Sequence, residues 1–311
     1  MTQQRLMHYS SRFAALALLA SLSACSSSDS PPTNTKVGTL EGNFTAELIA
    51  AVPELGTPAF TKFLGVVYDG HYPDIIQLAV DSQQNGCELL VPKTPFCSPS
   101  CGATGVCTAE NTCTLYPKAQ DLGDVHLTGL GTTEVVMPSM GPGFNYQPDV
   151  TLPNPSCSEG APVVVTTKDF TIEGKCIAPF NLTTNPVPVR SGQGIPLAWT
   201  APGVSGISKV FIHLDIAHHG GKKGEINCEV PDTGSFEVPE PLVTKLVSLG
   251  LAGFPTIVVG RKSTAAAATQ SEVKLSVSSS VEKSVDTGVK SCSDTSECPT
   301  GQTCQPDLTC K

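Results

Sequence analysis

Two groups of side chains in this sequence have the types and spacing to hold a metal ion. His213 and Asp215 alternate with apolar residues, and His218-His219 closes the run. Three imidazoles with carboxylate help suit a transition metal. Neighbouring side chains in an extended strand point to opposite sides, however, and solvated histidines at a hairpin containing Gly220 and Gly221 are the plainer expectation. Asp69, His71 and Asp74 form a second, carboxylate-bearing loop. Calcium asks for six or more oxygens in close array, and this loop offers too few alone. A structural calcium is the one cofactor kept in view, and no other is expected. Tyr68, Tyr72, Tyr116, Tyr146 and Trp199 are the aromatics a sugar-binding face would use, although Trp199 sits in an apolar run and reads as core. Aromatic residues make up 5% of the chain, too few for a broad stacking platform. No G-x-S-x-G, H-E-x-x-H, dinucleotide, P-loop or C-x-x-C-H pattern occurs, so no catalytic residue is assigned.

Cys25 has a chemistry of its own. Residues 1–12 carry Arg5 and Arg12 and no acid, and FAALALLASL (13–22) is a short apolar block ending in small residues. That is the layout of a secretory leader, and the block is well short of the roughly 20 residues a spanning helix needs. Leu22-Ser23-Ala24-Cys25 resembles the lipobox of bacterial lipoproteins. The resemblance implies lipidation of Cys25 after removal of residues 1–24, and Ser26 implies an outer-membrane address. Each buried methylene of an acyl chain contributes about 0.8 kcal/mol, and stable attachment takes more than one chain. Residues 25–38 then read as a flexible tether. Losing Arg5 and Arg12 from 19 basic residues leaves 17 against 28 acids, a net charge of −11. With no concentrated basic patch, nucleic acid is not an expected partner.

Setting Cys25 aside leaves twelve cysteines: Cys87, Cys97, Cys101, Cys107, Cys113, Cys157, Cys176, Cys228, Cys292, Cys298, Cys304 and Cys310. An even number in an exported chain points to disulfides, with zinc as the competing use of closely spaced thiolates. The connectivity does not follow from the spacing. Residues 97–113 have cysteine gaps of three, five and five, and residues 292–310 have gaps of five, five and five. In both, the middle gap contains glycine and the last ends in Thr-Cys. Neither contains enough apolar residues to fold without cross-links. They serve either as structural staples or as small recognition knots displayed at the tip of the protein.

The elements that position these residues are mostly short strands. Abundant Thr, Ser and Val with Pro 26 and Gly 28 favour an all-β build. Residues 39–136 mix strands and loops around the cysteine module 87–113, with 60–68 readable as helix or strand and a short strand within 121–130. Residues 137–159, rich in Pro, Gly and Asn, look like a linker or surface crossing. From 160 to 283 strands are expected at 162–167, 170–172, 180–182, 195–200, 209–217, 225–230, 255–260 and 272–277. Val210, Ile212, Leu214 and Ile216 share one face of the clearest of these. Residues 239–249 are the best helix. The expectation is an immunoglobulin-like β-sandwich over 160–283, bridged by Cys176 and Cys228 with Trp199 nearby and Cys157 leaving the pairing open. A cysteine-rich tail follows at 284–311.

GCELLVPKTPFCSPSCGATGVCTAENTC, LAWTAPG, GEINCEVPDTGSFEVPEPLVTKL and SEVKLSVSSSVE together resemble the uncharacterised cysteine-containing cell-surface lipoproteins of myxobacteria and related bacteria. The resemblance covers most of the chain beyond the leader and brings no functional residues with it. The resulting expectation is a lipid-anchored outer-membrane protein, periplasmic or surface-exposed, acting in adhesion, in envelope structure or as a non-catalytic binding subunit. Its partners would be the membrane, through Cys25, and envelope proteins or polysaccharide. The alternative is a carbohydrate-binding or glycan-hydrolysing surface protein, which a cluster of exposed Tyr and Asp on one edge would favour.

Overall fold

The computed structural model describes residues 39–131, 133–270 and 272–311. The leader, Cys25 and the tether lie outside the described residues. The described residues form sixteen strands: β1 (Glu41–Ile49), β2 (Phe60–Tyr68), β3 (Gln77–Gln84), β4 (Cys87–Lys93), β5 (Gly105–Ala109), β6 (Thr112–Leu115), β7 (Val125–Thr128), β8 (Val135–Met137), β9 (Pro162–Thr166), β10 (Thr171–Lys175), β11 (Ile195–Ala198), β12 (Lys209–Asp215), β13 (Glu225–Pro231), β14 (Ser235–Val238), β15 (Thr256–Ala266) and β16 (Val273–Ser284). The helix α1 (Glu240–Ser248) starts at the Pro239-Glu240-Pro241 step and falls within the expected 239–249. Among the described residues no helix is long and apolar enough to cross a membrane.

Eight strands form one sheet in the order β2-β1-β16-β15-β12-β13-β4-β3. All neighbours are antiparallel except β1 and β16, which pair in parallel from Gly42 opposite Val273 to Glu47 opposite Ser278. Residues 60–68 are thus strand, because Thr61, Phe63, Gly65 and Val67 alternate inward against β1. Gly65 has a specific reason to be glycine: a Cβ there would lie 2.2 Å from the Phe44 ring, which packs across it. Strands from both sides of residues 137–159 share this sheet, and the described residues cluster as one compact unit.

One face of the large sheet is covered twice. Over its β2-β1-β16 end lies a four-stranded sheet, β10-β9-β7-β8, enclosing Phe44, Phe63, Leu127, Val165, Ile172 and Leu275. Over the β15-β12-β13-β4 end lie the β11-β14 ribbon and α1, enclosing Trp199, Ile212, Leu214, Ile226, Leu246 and Val259. Each such side chain contributes roughly 1.5–3 kcal/mol by leaving water.

Between the two apolar cores, β15 and β16 place Arg261 and Ser279 inward. Arg261 is 1% exposed; its Nε lies 2.9 Å from Asp232 Oδ2, out of line for a hydrogen bond, while Nη2 donates to Thr200 C=O at 2.6 Å. Asp232 also accepts from Trp199 Nε1 and Ser208 Oγ, both at 2.8 Å. Ser279 Oγ accepts from Phe180 N–H and donates to Leu48 C=O. The seam is polar but closely hydrogen-bonded, which is what a buried charge requires.

The chain is mainly β and disulfide-rich, but the strands of 160–283 do not close on one another. β9 and β10 join β7 and β8, whereas β12, β13, β15 and β16 join β1–β4. The pairing expected between Cys176 and Cys228 does not form, because Cys176 lies in the first core and Cys228 in the second. Cys157 bonds to Cys176 and Cys87 to Cys228, the latter across directly opposed residues of β4 and β13.

The two cysteine modules have identical wiring. Cys97–Cys107 and Cys101–Cys113 in the first match Cys292–Cys304 and Cys298–Cys310 in the second, first to third and second to fourth. All twelve cysteines other than Cys25 are therefore paired. In each module the third and fourth cysteines face one another across a hairpin, and the residue two before the last cysteine takes a left-handed conformation, Asn111 at φ 53° and Leu308 at φ 60°.

Candidate functional site

Among the described residues no second layer of strands covers the other face of the eight-stranded sheet, and alternation decides what it presents. Because Val210, Ile212 and Leu214 point into the core, β12 turns Lys209, Phe211 and His213 outward. The same parity brings Asn227 and Glu229 outward on β13, Lys262 and Thr264 on β15, Lys274, Ser276 and Ser278 on β16, and Asn43 on β1. Two adjoining depressions lie over these residues, of about 910 and 550 Å³. Both are lined by Glu229, Lys262 and Ser276, so they form one trough across the strands. The β3–β4 turn at residues 83–86 walls one end, and Gly206, Ile207 and Ser208 border the other depression. Asn85 at φ 50° and Gly86 at φ 78° make the tight two-residue turn that holds this wall upright. The Cys87–Cys228 bridge, on the core side, ties it to β13.

Phe211 is the aromatic of the floor. A Cβ on Gly260 of the paired β15 would come within 2.6 Å of its ring, so glycine lets the ring lie down over the neighbouring strand. The ions around it are spent on one another. Glu229 accepts from Lys209 and from Lys262, each at 2.7 Å. These two ammonium groups, Lys209 first, hold its carboxyl below the usual glutamate range against the opposing effect of burial. The Lys262 ammonium also sits 6.0 Å from the centre of the Phe211 ring. His213 Nδ1 pairs with Asn227 Oδ1 at 2.7 Å, and Asn227 Nδ2 donates to Glu225. Burial works to raise the Glu225 carboxyl, but hydrogen bonds from Lys222 and Asn227 keep it, on balance, below its ordinary range.

The three histidines do not converge. His213 faces the trough, whereas His218 and His219 lie against each other, ring centres 4.0 Å apart and planes tilted by 57°, and His219 approaches Phe254. Asp215 is buried and accepts from Ala217 N–H. In the other loop Asp69 accepts from Lys118 N–H and His71 pairs with Glu41, leaving Asp74 apart from both. Among the described residues, the groups of three ligand-type atoms that meet are Cys97, Cys101, Cys113 and Cys292, Cys298, Cys310, whose sulfurs are all in disulfides.

The aromatics divide in two. Tyr146 is fully buried, its hydroxyl accepting from Leu122 N–H at 2.7 Å, and Trp199 is core. Tyr68, Tyr72 and Tyr116 gather at the end of β2, with ring centres 5.1 and 5.3 Å apart and Tyr72 47% exposed. Burial, with Tyr72 adding to it, raises the Tyr68 hydroxyl's pKa.

Sequence reasoning missed Phe211, Glu229, Lys262 and the wall at 83–86. The signal for Phe211 was present: a large aromatic on the outward face of an otherwise cleanly alternating strand.

No family model matches the chain, and no curated protein does. A solved structure described as a "tetra-tandem repeat in extending region of large adhesion protein" aligns with 13% identity over 81% of this chain and 76% of its own, at a TM-score of 0.22. A TM-score of that size does not define a common fold.

Proposed function

We propose that this chain is a lipid-anchored protein of the bacterial outer membrane, held there through Cys25, and that it serves in adhesion or envelope assembly as a non-catalytic binding subunit. It would belong with the myxobacterial surface lipoproteins that its sequence resembles. The observation that carries the binding role is the trough: outward side chains of five strands, a wall at the β3–β4 turn and an aromatic floor, on the face of the large sheet that no other sheet among the described residues covers. Glu229, clamped by two lysines, suits a fixed recognition surface better than proton transfer. The disulfides support an oxidising location outside the cytoplasm, and the acyl chains on Cys25 would provide the membrane attachment.

Fractionation of cells producing the wild-type chain and Cys25→Ser tests the anchor. The wild-type chain is expected with the outer membrane and the variant in the soluble fraction. Membrane retention of Cys25→Ser at the wild-type level overturns the lipid anchor.

A further inference from the structure

We propose that the trough binds an extended neutral polysaccharide lying across the strands; this deepens the binding role just described and rests on it. The path is continuous from the β3–β4 wall over β13, β12, β15 and β16 to Asn43 on β1. Five strand spacings make it roughly 24 Å long, the footprint of a polymer segment rather than of a small metabolite.

Its chemistry selects among polymers. The lysines of the floor are already paired: Glu229 takes both Lys209 and Lys262, and Lys274 lies 3.7 Å from Glu272, while Glu88, which also lines the trough, has no basic partner among the described residues and would repel an anion. An anionic chain would have to break those pairs. The amides and hydroxyls are in the opposite condition. Asn43, Gln83, Gln84, Asn85 and Ser278 make no side-chain hydrogen bond among the described residues, although they line the trough. Each amide offers two donors and one acceptor oxygen. Uncommitted amides flanking a single aromatic ring match a sugar, whose hydroxyls need both donors and acceptors and whose C–H face packs on an aromatic face. An extended peptide would instead be expected to use an open sheet edge, where backbone groups are unpaired. On this face the backbone is committed to the ladder.

The test is affinity electrophoresis of the full, oxidised chain through gels carrying neutral polysaccharide (glucan, mannan, xylan or galactan), with heparin as the anionic probe and a displayed library of extended peptides as the third. The wild-type chain is expected to be retarded by at least one neutral polysaccharide and not by heparin. Phe211→Ala should weaken that retardation about tenfold, while Phe96→Ala, on an exposed ring outside the trough, leaves it unchanged. Should Phe211→Ala fail to fold, as judged by free thiols, the double variant Asn43→Ala/Gln83→Ala at two exposed positions carries the test, with a several-fold loss expected. The proposal is overturned if no neutral polysaccharide retards the chain, if heparin or peptide alone is bound, or if folded Phe211→Ala binds like wild type. Any of these leaves the membrane retention of the wild-type chain untouched, so failure here is separable from failure of the anchored-protein reading.

Discussion

In residues 97–113, as in residues 292–310, two disulfides join the first cysteine to the third and the second to the fourth around one hairpin. The chain entering each module is held to the same turn residue: Asn111 N–H donates to Phe96 C=O, and Cys292 N–H donates to Leu308 C=O. What surrounds them differs. The second module is docked: Cys292 is fully buried, Cys310 and Thr309 nearly so, and Gly253 N–H donates to Asp307 C=O at 2.8 Å. The first stands clear, with Cys113 exposed and with Phe96 66% and Leu115 58% exposed. Its exit is tethered by Tyr116, which rests on Tyr72, and by Lys118 N–H on Asp69. One covalent device is therefore used as a staple when its surface is absorbed into the body, and as a projecting knob when it is not.

Removing the bridges should expose that difference most sharply. A short disulfide loop contributes about 2–4 kcal/mol by restricting the unfolded chain. Replacing Cys292, Cys298, Cys304 and Cys310 by serine together is expected to lower the body's stability by about that amount, because loosening the module also releases the Gly253 contact. The same change at Cys97, Cys101, Cys107 and Cys113 should melt its own hairpin and shift the body by less than about 1 kcal/mol. Trp199, the single tryptophan, lies in the second core and reports the body alone in urea unfolding followed by fluorescence. Equal losses from the two sets would erase the distinction between staple and knob.

The comparison also separates what local sequence specifies from what it leaves open. The repeat of cysteine spacing, with glycine in the middle gap and Thr-Cys at the end, is a local pattern, and it marks out both modules. Strand β12 is legible for a similar reason: Val210, Ile212 and Leu214 impose a period of two that no helix satisfies. The partners of Cys176 and Cys228 are not legible, because they depend on which of two cores each half of the chain enters. That choice is made by the parallel pairing of β1 with β16, which joins residues some 230 positions apart. The trough is intermediate. Its outward residues follow from strand parity once the sheet order is known, but the wall at 83–86 meets β13 through non-local pairing, the β4–β13 ladder and Glu229 N–H donating to Gly86 C=O at 2.9 Å. His213 stands out as a ligand-type side chain, and the tyrosines and Trp199 as aromatics of the kind that hold sugars; Phe211, two positions from His213 on the same face, belongs to neither set.

A smaller effect should appear on acidification. Asp307 is held down to about 2 by Lys311, and next by the Thr309 hydroxyl. Since the folded-state carboxyl titrates below its ordinary value, the stabilisation is fully present above the usual carboxylate range and is lost as pH falls through about 2. The amide of Thr309, which donates to Asp307 Oδ1 at 3.2 Å, should keep its exchange protection down to about pH 3 and lose it toward pH 2. In Asp307→Asn no loss centred there is expected. Protection in the wild type that fails already at pH 4–5 would contradict the assignment.

The smallest effect concerns the residue at the turn. Asn at 111 suits a left-handed conformation, and its Oδ1 also accepts from Ser98 N–H at 3.0 Å. Leu308 holds the same conformation without a polar side chain to help it, and a leucine there is strained by its own Cβ. Leu308→Asn should relieve that strain at the cost of some contact, since the side chain is half-buried. A net gain of about 0.5 kcal/mol is expected in the Trp199 unfolding midpoint. The sign decides what the docked module selects for: a gain means that its turn is tolerated for lack of pressure, whereas a loss beyond about 1 kcal/mol means that Leu308 is retained because docking buries it. In the second case a side chain, and not the wiring, makes one copy of the device a staple.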